Sequence, residues 1–249
     1  MIAAKRRPRP SGPVGAACVV FAAAALAAGT IAAAPMGSIR GKVTGWERLL
    51  PQVYVDAAKN DSRRYNWREP SPTVKQEFRR LSANVSRDVC VVALTTSSGQ
   101  AHEHEPVSIK VTGGRITPST VVLFPGSRLS FKNADPFPHV LYEAGSDQWA
   151  ANPVGPGSTR EWSSTSPGLH IIRDEVFPSV VMYVFVDPTA VEYALPDHEG
   201  SFTMTLPQGD YTLKTFFDGK PVGREASVHV GGPGTELREP LTVGGGEPK

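Results

Sequence analysis

The sequence predicts a mainly β fold built from sandwiches, and three observations predict it. The chain of 249 residues holds 24 Gly and 23 Pro, about one residue in five, scattered between short apolar runs without a repeat. That is the punctuation of many turns joining short strands. From Val89 onward, apolar stretches recur at 89–95, 107–112, 120–124, 128–132, 138–142, 168–173, 180–186, 201–205, 210–217 and 225–230, separated by Gly, Pro, Asp or Ser. A strand every 8–12 residues or so, with turn residues between, indicates a sandwich or barrel. Finally, Tyr211, Leu213, Thr215 and Phe217 alternate along one stretch, which puts them on one face of a strand turned inward.

The N-terminus reads as an export signal. Lys5, Arg6, Arg7 and Arg9 precede an uncharged run from Val14 to Ala34, the basic and apolar regions of a signal peptide. Ala25-Leu26-Ala27 offers a small-x-small cleavage pattern; Ala32-Ala33-Ala34 offers another, but Pro35 follows it. Cleavage is expected near Ala27. The alternative is an uncleaved anchor, because 14–34 is as long as a bilayer crossing of about 20 residues. Setting the four basic residues aside turns the formal charge from +2 to −2. A nucleic-acid partner then loses its support, and the membrane enters only through residues 14–34 if they are retained. Of the 2 cysteines, Cys18 lies in the apolar run without a lipobox. Cys90 alone remains in Val89-Cys90-Val91-Val92-Ala93-Leu94, so no intramolecular disulfide is expected and the thiol reads as a small packed hydrophobe.

Between signal and strands, Ser38 to Val55 contains two β-type stretches around a turn, with Ile39, Val43, Val53 and Val55 as branched apolar positions. Asp56 to Pro70 is polar and reads as a loop. Ser71-Pro72 is a helix start, and Val74, Phe78, Leu81 and Val85 follow at helical spacing. After Gly231 the chain is Gly- and Pro-rich and reads as a flexible tail.

Residues 107–142 carry a resemblance. An opening strand, the Gly113-Gly114 turn, a Thr117-Pro118 step and the Pro125-Gly126 turn lead to Phe131, Asn133, Asp135 and His139. This order resembles the cupredoxin-like (plastocyanin-like) domains of exported bacterial proteins, with their F-x-N-x-D-x-x-x-H segment; the resemblance implies a Greek-key sandwich in which His139 is the first copper ligand. Asp197-His198-Glu199-Gly200-Ser201-Phe202 and Leu206-Pro207-Gln208-Gly209-Asp210-Tyr211-Thr212-Leu213 are similar to the hairpin of carboxypeptidase-regulatory-like sandwiches, which are non-catalytic. The opening pair of that family is matched by Gly37 to Val43 and Pro51 to Val55. The organisation expected is a signal or anchor at 1–34, a small discontinuous sandwich from 37–56 and 191–230, a loop and helix at 57–83, a cupredoxin-like domain at 84–190 and the tail at 231–249.

The family's copper chemistry is not carried through. A type 1 centre joins a thiolate and two imidazoles with a weak axial thioether. Counting from Pro167-Gly168 to Pro178, Asp174 stands where cysteine is expected, Phe177 where the second histidine is, and Val180 near the methionine. Val140 also replaces the asparagine that usually follows the first histidine. No cofactor is therefore favoured and copper stays a possibility, with His139 and Asp174 the candidate metal residues. His170, on the same predicted strand as Asp174, is about 13 Å from it. His102 and His104, in His102-Glu103-His104-Glu105, are a secondary candidate pair about 7 Å apart in an extended chain.

Enzyme motifs are missing: there is no G-x-S-x-G elbow, H-E-x-x-H, phosphate-cradling loop or Cys-x-x-Cys. Asp174 and Glu175, being consecutive on a strand, face opposite ways and make no acid pair. Trp46, Trp67, Trp149, Trp162 and Tyr65 read as core or loop anchors, with a sugar-binding platform through Trp149 and Trp162 as the alternative. The reading is an exported, periplasmic or envelope-associated, non-catalytic binding or scaffolding module with a degenerate copper site, its partner another envelope protein. The alternatives are a copper-binding or electron-transfer cupredoxin using His139, and a carbohydrate- or peptide-binding module.

Overall fold

The computed structural model describes residues 35–49, 85–96, 106–232 and 234–244. Two β-sandwiches fill them. The first is built from β3 (Val107–Thr112), β4 (Arg115–Thr117), β5 (Thr120–Leu123), β6 (Arg128–Asn133), β7 (His139–Glu143), β8 (Asn152–Val154), β9 (Thr159–Ser163), β10 (Gly168–Asp174) and β11 (Val181–Val186). One sheet runs β4-β3-β6-β9 and the other β5-β11-β10-β7-β8. Their facing sides alternate as the sequence does: Ile109, Val111, Leu129, Phe131, Leu141, Ile172, Met182 and Val184 form one buried cluster, while the residues between them face outward. The mainly β, Greek-key expectation holds.

The second sandwich joins distant segments. β1 (Met36–Thr44) pairs antiparallel with β13 (Ser201–Pro207), while β12 (Ala190–Ala194), β2 (Cys90–Leu94), β14 (Gly209–Phe217) and β15 (Lys220–Val230) form a sheet in that order. Ile39, Val43, Val91, Ala93, Met204, Leu206 and Leu213 lie between them. Tyr211, Leu213, Thr215 and Phe217 are buried along one face of β14, as their alternation predicts. Asp218 and Gly219, with φ of 47° and 71°, make the tight hairpin to β15, whose two left-handed positions match the twist of the strands.

Two expectations are corrected here. β2 falls within the 84–190 span assigned by sequence to the cupredoxin-like part, yet it pairs with β12 and β14 at the centre of the other sandwich. All five of its residues are buried: Val91 and Ala93 face the second core, whereas Cys90, Val92 and Leu94 join Phe216 and Ala190 against Val122 and Phe185 on the outer side of β5 and β11. A strand covered on both faces reads as a continuous apolar run, so its sequence does not show which sheet it joins. The tail after Gly231 is also not loose as far as residue 244. β16 (Thr235–Glu236) and β17 (Leu241–Thr242) pair parallel with β1. Leu241 and Val243 are buried in the second core, and this burial offsets the entropy of ordering a glycine-rich segment.

The described helix is the single turn α1 (Val85–Asp88), which leads into β2. It is tied to the first sandwich by the Ser119 amide, which donates to the Asp88 carboxylate at 2.9 Å. The predicted helix over Ser71 to Val85, the strand at Val53 to Val55 and the segment 1–34 lie outside the described residues, except for Val85 itself. No helix among the described residues is long and apolar enough to cross a membrane.

Candidate functional site

Three connections meet at one end of the first sandwich. The β3–β4 turn consists of Gly113 and Gly114, with φ of 62° and 65°, a conformation that side chains with a Cβ rarely adopt. It aims both amides at Asp135 in the β6–β7 loop: Gly113 N–H donates to Oδ1 at 2.6 Å and Gly114 N–H to Oδ2 at 2.9 Å. Asn133 fixes that loop by accepting from the Asp135 amide at 2.8 Å and donating its own side-chain amide to the Phe137 and Val154 carbonyls. The β10–β11 loop is held by Asp174, whose Oδ1 accepts from the Val176 and Phe177 amides at 2.7 and 2.9 Å.

His139, the first residue of β7 and fully buried, sits between these two carboxylates. Its Nδ1 is 2.8 Å from Asp174 Oδ2 and its Nε2 is 3.0 Å from Asp135 Oδ2. Asp174 Oδ2 also accepts from the Val140 amide at 3.1 Å. A neutral imidazole has one N–H to give, so carboxylate contacts at both nitrogens require a further proton in the cluster. Asp174 accepts three backbone N–H bonds and Asp135 two, so both jaws are fixed by the chain and not by the ring alone. The ring is enclosed by Phe137 and Phe177, with centroids at 5.3 and 5.0 Å.

Burial pushes the Asp135 carboxyl up, but the Gly114 and Gly113 amides and the His139 ring outweigh it and hold the carboxyl below its ordinary value. A carboxyl depressed in the folded state contributes stability that is complete above its unfolded value, about 3.9, and is lost as pH falls through the folded value. Acid titration of stability is therefore expected to show a loss below about pH 4 that is smaller in Asp135→Asn. Equal acid slopes in the two proteins would remove this assignment.

The arrangement does not fit type 1 copper. Asp174 does adjoin His139, as its position in the motif implies, but it faces Nδ1 while Asp135 faces Nε2. The two carboxylates lie on different sides of the ring and do not converge on one point. Phe177, in the second-histidine position, packs against the ring at a tilt of 56°, and Val180 is fully buried in the core. Cys90 belongs to the layer between the sandwiches, where burial pushes its thiol up to about 12, away from the thiolate a metal needs. Among the described residues, no group of three or more His, Cys, Asp or Glu side chains is arranged to hold a metal ion. His102 and His104 lie outside the described residues.

His170 belongs to a separate network. Its Nδ1 is 2.6 Å from Glu143 Oε1, and Glu143 Oε2 accepts from Trp162 Nε1 at 2.9 Å. Trp162 is buried, so the two-tryptophan sugar platform does not form. Trp149 is a loop anchor: it donates to the Glu161 carbonyl and carries the Arg160 guanidinium 3.7 Å above its ring. Sequence reasoning matched Asp135 to a motif but gave it no role. The available signal was the Gly113-Gly114 pair, whose amides need an acceptor.

No protein-family model and no curated protein matches this chain. Among solved structures, the chain is similar to a copper-containing nitrite reductase from Thermus scotoductus, at 18% identity and a TM-score of 0.31 over 38% of this chain, which spans a quarter (25%) of that enzyme. A reduced mutant of amicyanin aligns at 15% identity and a TM-score of 0.31, over 39% of this chain and 99% of its own. A purple cupredoxin from Nitrosopumilus maritimus aligns at 18% and 0.29, over 32% and 99%.

Proposed function

We propose that the chain is an exported, non-catalytic binding or scaffolding module of the cell envelope, in which a carboxylate–imidazole–carboxylate clamp takes the place of a cupredoxin copper centre. The observation that carries this reading is the engagement of both His139 nitrogens by Asp135 and Asp174. Copper would have to displace two buried, amide-supported carboxylates and would gain no thiolate. What the clamp does is hold three connections in one conformation. Over it stand Pro136, Phe137, Pro138, Val176, Phe177 and Pro178, with Val176 59% exposed. An apolar tip on a pinned loop suits contact with another envelope protein.

Copper titration of the purified protein tests the reading. The expected result is no stoichiometric copper and no intense blue absorption. One copper per chain, lost in His139→Ala, would overturn it in favour of a copper-binding cupredoxin.

A further inference from the structure

On the side of the first sandwich away from its core, the β4-β3-β6-β9 sheet presents a flat polar face. Because alternate residues face outward, β6 contributes Arg128, Ser130 and Lys132, β3 contributes Ser108, Lys110 and Thr112, and β9 contributes Thr159, Glu161 and Ser163. The strand register orders them into rows. Arg128 lies opposite Ser163; Ser108, Ser130 and Glu161 form the next row; Lys110, Lys132 and Thr159 form the third.

Two features separate this face from an ordinary solvated surface. Lys110 and Lys132 are direct register partners on adjacent strands, a like-charge juxtaposition that destabilises a sheet. Neither their side chains nor that of Arg128 make an ion pair or hydrogen bond to a described residue, and all three are exposed. The face also carries hydroxyls. Ser108 and Ser130 are short and lie between the long side chains of Arg128 on one side and Lys110 and Lys132 on the other, about 13 Å apart along the strand. Two hydroxyls therefore stand between Arg128 and the lysine pair, with Glu161 beside Ser130 on β9.

We propose that this face binds an extended acidic polysaccharide, its anionic groups meeting Arg128, Lys110 and Lys132 and its hydroxyls meeting Ser108 and Ser130. Hydroxyls set between cations suit a chain that carries both anionic groups and hydroxyls; a bilayer surface would leave the serines unused. The large hydrophobic side chains exposed among the described residues, Met36, Leu169 and Val176, are all on other segments, so the face offers no group to insert among lipids. This inference concerns a different surface from the clamp and stands or falls independently of copper.

The test is fluorescence anisotropy of the full chain with a labelled polygalacturonate oligosaccharide, at several salt concentrations. Because screened charge contacts dominate such binding, reversing both lysines in Lys110→Glu/Lys132→Glu is expected to weaken it by about tenfold or more and to flatten its salt dependence. Glu161→Gln is expected to tighten it. The control Lys42→Glu/Lys220→Glu makes the same change in net charge on exposed positions of the other sandwich and should leave affinity within about twofold. If the reversed protein fails to fold, Lys110→Gln/Lys132→Gln gives the same comparison with a smaller loss. Equal loss in the control, no loss in the lysine variants, or binding to anionic phospholipid vesicles without binding to the oligosaccharide would each overturn the proposal.

Discussion

Asp174→Ala is expected to lower the unfolding free energy by about 3–5 kcal/mol, because it leaves several buried donors without an acceptor at about 1–3 kcal/mol each. The cost comes from what remains. His139 keeps its place between Phe137 and Phe177 but loses the acceptor at Nδ1, while the amides of Val140, Val176 and Phe177 lose theirs together. Each orphaned donor that water does not reach costs about 1–3 kcal/mol. Asp174→Asn should fall between wild type and Ala, since its carbonyl oxygen can still accept from the loop amides. Denaturant unfolding with an unchanged slope measures this. A loss under about 1 kcal/mol would mean that Asp174 merely fills space, because ordinary surface substitutions stay within about 0.5 kcal/mol.

The same residues show how far the sequence was readable. Strand positions were legible because period-two alternation and turn residues are local: 107–112 was anticipated to the residue, and β6, β7, β10, β11 and β14 to within one or two. The strands that were missed are short or carry few apolar residues, such as Asn152–Val154 and Thr159–Ser163. The former is an edge strand with a proline, which gives no pattern to detect. Sheet membership was not legible for β2, whose partners lie about a hundred residues away and whose two buried faces erase the alternation.

At the site, motif counting put Asp174 in the position of the missing thiolate, and it does touch His139. The clamp itself was hidden because its second jaw, Asp135, is positioned by a glycine turn from another hairpin. Three loops have to meet before those groups become neighbours. The exposed lysine pair was hidden for a related reason: positions 110 and 132 look unrelated until the parallel register of β3 and β6 sets them side by side.

Val92→Asp is expected to disrupt the second sandwich more than the first. Val92 is fully buried in β2, in the apolar layer with Phe216 and Val122. Phe185 and Phe216 pack across that layer with centroids 5.3 Å apart. The cation beside it, Lys214, is its register partner on β14 but is already held by Glu225 at 2.8 Å, and a buried carboxylate without a partner of its own costs several kcal/mol or forces the strand out. Losing β2 separates β12 from β14, because β2 is the only strand between them in the sheet order, and it uncovers Leu213 and Met204 beneath. The first sandwich loses its outer cover over Val122 but keeps Ile109, Phe131, Leu141 and Met182 between its own two sheets. Hydrogen exchange should therefore show protection lost in β2, β12 and β14 and kept in β3, β6 and β10. Protection lost to the same extent in all six strands would mean that the sandwiches form a single cooperative unit, and protection kept in β14 would mean that β2 is not what holds its sheet together.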